Sequence, residues 1–172
     1  MISRDDKLFC VLNSIDKEIK SNRLVCYLYI YQVSGLDINF KYKTGMSTLK
    51  SDKFDVYLNY LVSEGCIKIN RSIVSITSYG EEVLGNFIFS VDEIEYLDTI
   101  KKKLNNLNDD ELFFLVLLDI IISEIKAQAG IQGLIKQRDK IKTTLKQLTN
   151  IYSEENFNGA ISMLNNFKEG IK

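Results

Sequence analysis

The sequence contains no histidine, and that absence excludes more chemistry than any residue present supplies. Ser-His-Asp and Cys-His catalysis, histidine-ligated metals and the commonest general base all need an imidazole. Proline is absent too, while isoleucine, asparagine and lysine are abundant, a composition that fits an AT-rich bacterial or phage genome. Cysteine is scarce. Cys10, Cys26 and Cys66 lie far apart and form no Cys-x-x-Cys pair, so they read as small core hydrophobes in a reducing cytosol.

Long hydrophobic runs are missing as well. The apolar block Leu112 to Leu118 stops at Asp119, whereas a bilayer span takes about 20 apolar residues. It reads as a buried helix segment. The opening "MISRDDKLFCVL" carries charge where a signal peptide needs an apolar stretch, so the expectation is a cytoplasmic protein without a membrane partner. Charge of one sign is lacking: 22 basic and 23 acidic residues leave a net −1, which gives no global pull toward nucleic acid or an anionic surface. No G-x-x-x-x-G-K-[ST], G-x-G-x-x-G or G-x-S-x-G motif occurs. No catalytic set, metal site or cofactor is expected.

What is present is periodicity. At 45% hydrophobic and 26% charged, 172 residues suffice for an ordinary core. Leu8, Val11, Leu12, Ile15 and Ile19 recur at helical spacing, predicting a helix over 4–19 behind a Ser3/Asp6 cap. Ser21 or Asn22 can cap "RLVCYLYIYQV", apolar nearly all round and therefore central, with Gly35 as its stop. "INFKYK" alternates as a half-buried strand. A helix from Thr48 or Asp52 to Glu64 stops at Gly65. "CIKIN" and "SIVSIT" then form a hairpin around "NRS", and Thr77 or Ser78 starts a further helix. The order helix, helix, strand, helix, strand, strand, helix is that of a winged helix-turn-helix over residues 1–89.

Residues 90–172 read as four helices packed on it. Ser90 with Glu93 caps the first, which is expected to bury Ile94, Leu97, Leu104 and Leu107. Asn108 caps the second, whose acids Asp109, Asp110 and Glu111 suit a helix N-terminus. Gly130 separates it from "IQGLIKQRDKIKTTLKQL". Ser153 caps the last, with Phe157, Ala160, Ile161 and Leu164 on one face. No Gly/Ser-rich linker intervenes, so the fold class is mainly α (α+β) in one compact body.

In a winged helix, the helix before the hairpin reads nucleic acid. Here its core face is Phe54, Tyr57, Leu58, Leu61 and Val62, leaving Lys53, Val56, Asn59, Tyr60 and Ser63 for solvent. Lys50 and Lys53 stand against Asp52, Asp55 and Glu64, a local net of −1. Two acids near its N-terminal half oppose approach to phosphates. The outer face carrying Lys53, Val56, Asn59 and Tyr60 fits a protein interface. Reading of DNA through Lys50, Lys53, Asn59, Lys68 and Arg71 and a plain solvated face are the alternatives. A second basic run, Lys136, Arg138, Lys140, Lys142 and Lys146, faces only Asp139, a local net of +4. It is a candidate for phosphates or an acidic partner, or a solvated helix face. Asp119, flanked by Leu118 and Ile120, requires an edge position or pairing with a Lys or Tyr.

The segment "FKYKTGMSTLKSDKFDVYLNYLVSEGCIKI" resembles the YwgA-like group of small bacterial proteins. Gly45 and Ser47 stand in that group's turn, and Leu58, Tyr60, Leu61, Gly65 and Ile67 in the helix and strand after it. Thr77 and Gly80 match its wing-to-helix step, and Tyr152, Ser153, Phe157 and Ala160 its terminal helix. Met46 lies where the group's turn carries proline. Similar winged-helix proteins form the small middle component of bacterial ABC-three-component anti-phage defence systems, the Lamassu type included; others carry the Panacea antitoxin domain. The resemblance implies a non-enzymatic adaptor in a hetero-complex, bridging an SMC-like ATPase and an effector, with DNA contact through the complex. An antitoxin that neutralises a toxin by direct binding is the alternative it implies, and a winged-helix DNA-binding transcriptional regulator is the alternative that the element pattern leaves open.

Overall fold

The computed structural model describes residues 5–170, which form a mainly helical protein with a small antiparallel sheet. The first helix, α1 (Asp6–Ser14), starts at Asp5, whose carboxylate accepts from the Leu8 N–H at 2.9 Å. The Ser3 half of the expected cap lies outside the described residues. The helix stops well short of residue 19. Glu18–Lys20 leaves it as strand β1 and pairs antiparallel with Ile73–Ile76, placing Ile19 opposite Val74. Ile15 and Ile19 fit a helical stripe and a strand equally well, and the ladder decides between them.

Helix α2 (Ser21–Val33) follows without a side-chain cap; Ser21 and Asn22 lie inside it. Every residue from Leu24 to Tyr31 is buried, so α2 is the central element, packed against α1, α5, α6 and α8. Gly35, at φ +107°, ends it as expected. The "INFKYK" segment is a correction. It alternates in burial, with Ile38 and Phe40 inside and Asn39 and Lys41 outside, but only Lys43–Thr44 (β2) joins a ladder, with Leu49–Lys50 (β3). The Gln32 side chain substitutes for a strand partner. Its amide nitrogen donates to the Phe40 carbonyl at 3.1 Å, and its oxygen accepts from the Phe40 N–H at 2.9 Å.

Helix α3 (Asp52–Ser63) buries Phe54, Leu58 and Leu61 and ends before Gly65 at φ +76°. Val62, expected in the core, is 41% exposed. It sits at the edge of the apolar stripe, where one more step around the helix reaches solvent. β4 (Ile67–Asn70) and β5 (Ile73–Ile76) make the expected hairpin, giving strand order β1-β5-β4. Thr77 caps α4 (Ser78–Gly85) by accepting from the Gly80 N–H at 3.0 Å, and its hydroxyl donates back to the Gly65 carbonyl at 2.6 Å. A Cβ on Gly80 would stand 2.2 Å from the Cys66 carbonyl oxygen, so only glycine allows this close approach.

Capping boxes open α5 (Val91–Asn105, Ser90 with Glu93) and α6 (Asp109–Lys136, Asn108 with Glu111). In α5, Leu97, Ile100 and Leu104 are buried, Leu107 just beyond it is half-buried, and Ile94 faces solvent instead of the core. Arg23 holds the corner between these helices. Its guanidinium donates to the Leu104 and Leu107 carbonyls at 2.8 and 2.6 Å and to Asp109 at 3.0 Å. Gly130 interrupts α6 with φ +65° and ψ −170°. A second break at Gln137 splits the expected 131–148 helix, so α7 runs Arg138–Leu148. α8 (Glu154–Lys168) is capped by Ser153 and buries Phe157, Leu164 and Phe167. One hydrophobic core draws on both halves of the chain. No helix among the described residues is long and apolar enough to cross a membrane.

Candidate interaction surface

Helix α3 presents two unlike faces because its apolar residues recur at core spacing on one side only. Lys53, Val56 and Tyr60 lie outward at i, i+3 and i+7, with Val56 69% and Tyr60 52% exposed. Together with Lys7, Phe40, Asp52 and half-buried Tyr57 they line a shallow, mostly apolar groove. The ring of Tyr57 lies 6.0 Å from Phe40 and 6.0 Å from Tyr60, so an aromatic floor runs beneath the exposed valine. The Lys7 ammonium sits 5.2 Å over Phe40 and 5.3 Å over Tyr57, within cation–π range. Burial, with the Asp5 carboxylate adding, pushes the Tyr57 hydroxyl up, so it remains a neutral donor. Asn59 is exposed on the same helix but does not line the groove.

The expected DNA-contacting cations stand on four different elements. Lys50 stands on β3, Lys53 on α3, Lys68 on β4 and Arg71 in the hairpin turn at φ +58°, all exposed. Asp52, at the start of α3, is 3.5 Å from Lys43, and Asp55 is exposed one turn on.

The basic run on α6 and α7 is divided between the chain's own rings and solvent. Lys142 pairs with Glu154 at 2.8 Å and lies 5.3 Å over the Phe157 ring. Arg138 lies 5.8 Å over the same ring, and Lys146 5.0 Å over Tyr152. Lys136 and Lys140 are exposed. Lys142, with Tyr152, holds the Glu154 carboxyl below its ordinary range. The run is therefore partly a clamp of α7 onto α8, a role that needs partners distant in sequence.

Asp119 is 1% exposed, so the edge position is ruled out, and it is paired with both a Tyr and a Lys. The Tyr29 hydroxyl donates to Oδ2 at 2.8 Å and the Lys168 ammonium pairs with Oδ1, tying α2 and α8 to α6. Burial, then the Asp119 charge, pushes the Tyr29 hydroxyl up. Asp109 is drawn into ion pairs with Lys20 at 2.9 Å and Arg23 at 3.0 Å, which hold its carboxyl below the usual range. No group of three or more His, Cys, Asp or Glu among the described residues is placed to hold a metal ion. None of the three cysteines is in a disulfide, all are buried, and burial pushes the Cys26 thiol up to about 12, so little of it is thiolate at neutral pH. Compared with protein-family models, curated proteins and solved structures, the chain matches none.

Proposed function

We propose that the chain is a non-catalytic, winged-helix adaptor that binds a partner protein through the outer face of α3. The order α1-β1-α2-α3-β4-β5, with strand order β1-β5-β4, supports assigning residues 1–89 to a winged helix and 90–172 to a helical extension. The observation that carries the protein-binding reading is the aromatic-floored groove under Val56 and Tyr60. Apolar side chains that a partner can desolvate, ringed by mixed charge, are what concentrate binding energy at protein interfaces. The resemblance to middle components of ABC-three-component defence systems supplies the partner class: an SMC-like ATPase or its effector.

Co-expression with the products of adjacent genes, followed by size-exclusion chromatography, tests this. One neighbour co-elutes with the native chain and is lost from the Val56→Asp, Tyr60→Asp double variant. A native chain that elutes alone with every neighbour, or a variant that keeps its partner, overturns the reading.

DNA binding is the second reading, favoured by the exposure of Lys50, Lys53, Lys68 and Arg71 along α3 and the hairpin. It requires affinity for the chain's own upstream DNA that falls steeply with salt and drops on Lys50→Glu plus Lys53→Glu. Binding indifferent to both would remove it.

A further inference from the structure

A net charge of −1 conceals two poles. Residues 79–100 carry six acids (Glu81, Glu82, Asp92, Glu93, Glu95 and Asp98) and no base. Lys101, Lys102 and Lys103 follow in the last turns of α5, where Lys101 pairs with Asp16, Lys103 lies over the Phe167 ring and Lys102 is exposed, so the acidic patch is the first half of that helix. Residues 126–148 carry six bases and a single acid, Asp139. Each pole also exposes aliphatic side chains that the core does not use. On α5, Val91, Ile94, Glu95 and Asp98 follow at i, i+3, i+4 and i+7, all exposed, with Val91 70% and Ile94 42% open to solvent. Beyond the Gly130 kink, Ile131 and Ile135 are each 71% exposed one turn apart, beside a groove lined by Leu134, Ile135, Arg138, Ile141, Phe157 and Ile161. Lys136 and Lys140, the sequence neighbours of the groove residues Ile135 and Ile141, are exposed.

The acidic first half of α5 and the basic groove lie apart within one chain. The Tyr96 hydroxyl donates to the Phe167 carbonyl at 2.6 Å, so α5 meets the last turn of α8. The basic groove uses Phe157, in the first turns of α8, beneath Arg138 and Lys142. Ten residues of helix separate those points by about 15 Å, beyond the Debye length of about 8 Å at physiological salt.

We propose that the α5 stripe of one copy docks into the groove between α6, α7 and α8 of a second copy, head to tail. The two surfaces match each other: aliphatic against aliphatic, carboxylates against Lys136, Arg138 and Lys140. An amphipathic helix laid in an apolar groove is a recurrent recognition mode, and complementary rims set its polarity. Because the two patches differ, the contact is heterologous and generates a ring or an open chain of copies. It uses neither Val56 nor Tyr60, so it stands independently of the proposed adaptor face.

Sedimentation of the full chain between about 1 µM and 1 mM tests it. Mean mass rises with concentration at low salt and returns to the monomer value near about 0.5 M salt, where screening is strong. Lys136→Glu plus Arg138→Glu yields a monomer, as does Glu95→Lys plus Asp98→Lys. Mixed together, these two variants re-associate, because each groove then meets a stripe of opposite charge, a rescue that misfolded chains would not give. A native chain that stays monomeric throughout, reversals that leave association intact, or a mixture that fails to re-associate each overturns the proposal.

Discussion

Helices α3 and α7 both carry cations beside aromatic rings, yet the two use them differently. On α7, Arg138 and Lys142 lie over Phe157, Lys146 lies over Tyr152, and Lys142 pairs with Glu154, so the charged face fastens α7 to α8. On α3, Lys53, Val56 and Tyr60 face solvent over the floor made by Phe40 and Tyr57. A basic run is thus no guide to a free basic surface when aromatic and acidic residues from elsewhere in the chain can fold over it. A less charged helix turns out to offer the more open face.

The comparison breaks most visibly at Phe157. Removing this 3%-exposed ring takes away both the packing of α8 and the seat of two cations. Phe157→Ala is expected to lower unfolding free energy by about 3–5 kcal/mol in urea titrations, the usual loss for a buried phenylalanine. Asp119→Asn acts on the other fastening of α8. It keeps an acceptor for Tyr29 but leaves the Lys168 ammonium without its counter-charge, for an expected loss of about 2–4 kcal/mol.

The Lys142–Glu154 pair is a smaller effect, read best against pH. The Glu154 carboxyl titrates below its ordinary 4.5 in the folded protein, so the pair stabilises above that value and its contribution disappears as pH falls through the folded one. Lys142→Ala should therefore flatten the acid side of the stability profile and leave the neutral-to-alkaline side parallel to the native curve. Smallest of all, Val56→Asp and Tyr60→Asp on α3 should change stability by less than about 0.5 kcal/mol each. A large destabilisation there would show that the outer face of α3 is a structural surface like that of α7, and the contrast would vanish.

Much of the helical frame was legible because its signals are local. Thr77, Ser90, Asn108 and Ser153 each cap the helix they precede, and Gly35 and Gly65 mark helix ends with positive φ. The exposure of Val56 and Tyr60 followed from the same helical period. What escaped depends on partners far along the chain. β1 exists only because β5 offers a ladder to Glu18–Lys20, and the short strands β2 and β3 leave Phe40 to a glutamine side chain. Lys142 reads as a free cation until Glu154 folds back beside it. Ile94 matched a buried stripe by spacing, yet it is exposed where Leu97 and Leu104 on the same helix are buried.

The kink at Gly130 also sets how the molecule opens. Its φ of +65° and ψ of −170° interrupt the backbone hydrogen-bond ladder of the longest helix. Cooperative opening units end where such ladders and their packing end. Amides from Leu112 to Ile122, buried almost throughout, are therefore expected to exchange with deuterium only on global unfolding. Those of residues 131–136 are expected to exchange together with α7 as a separate and earlier event, with a step in protection across residue 130.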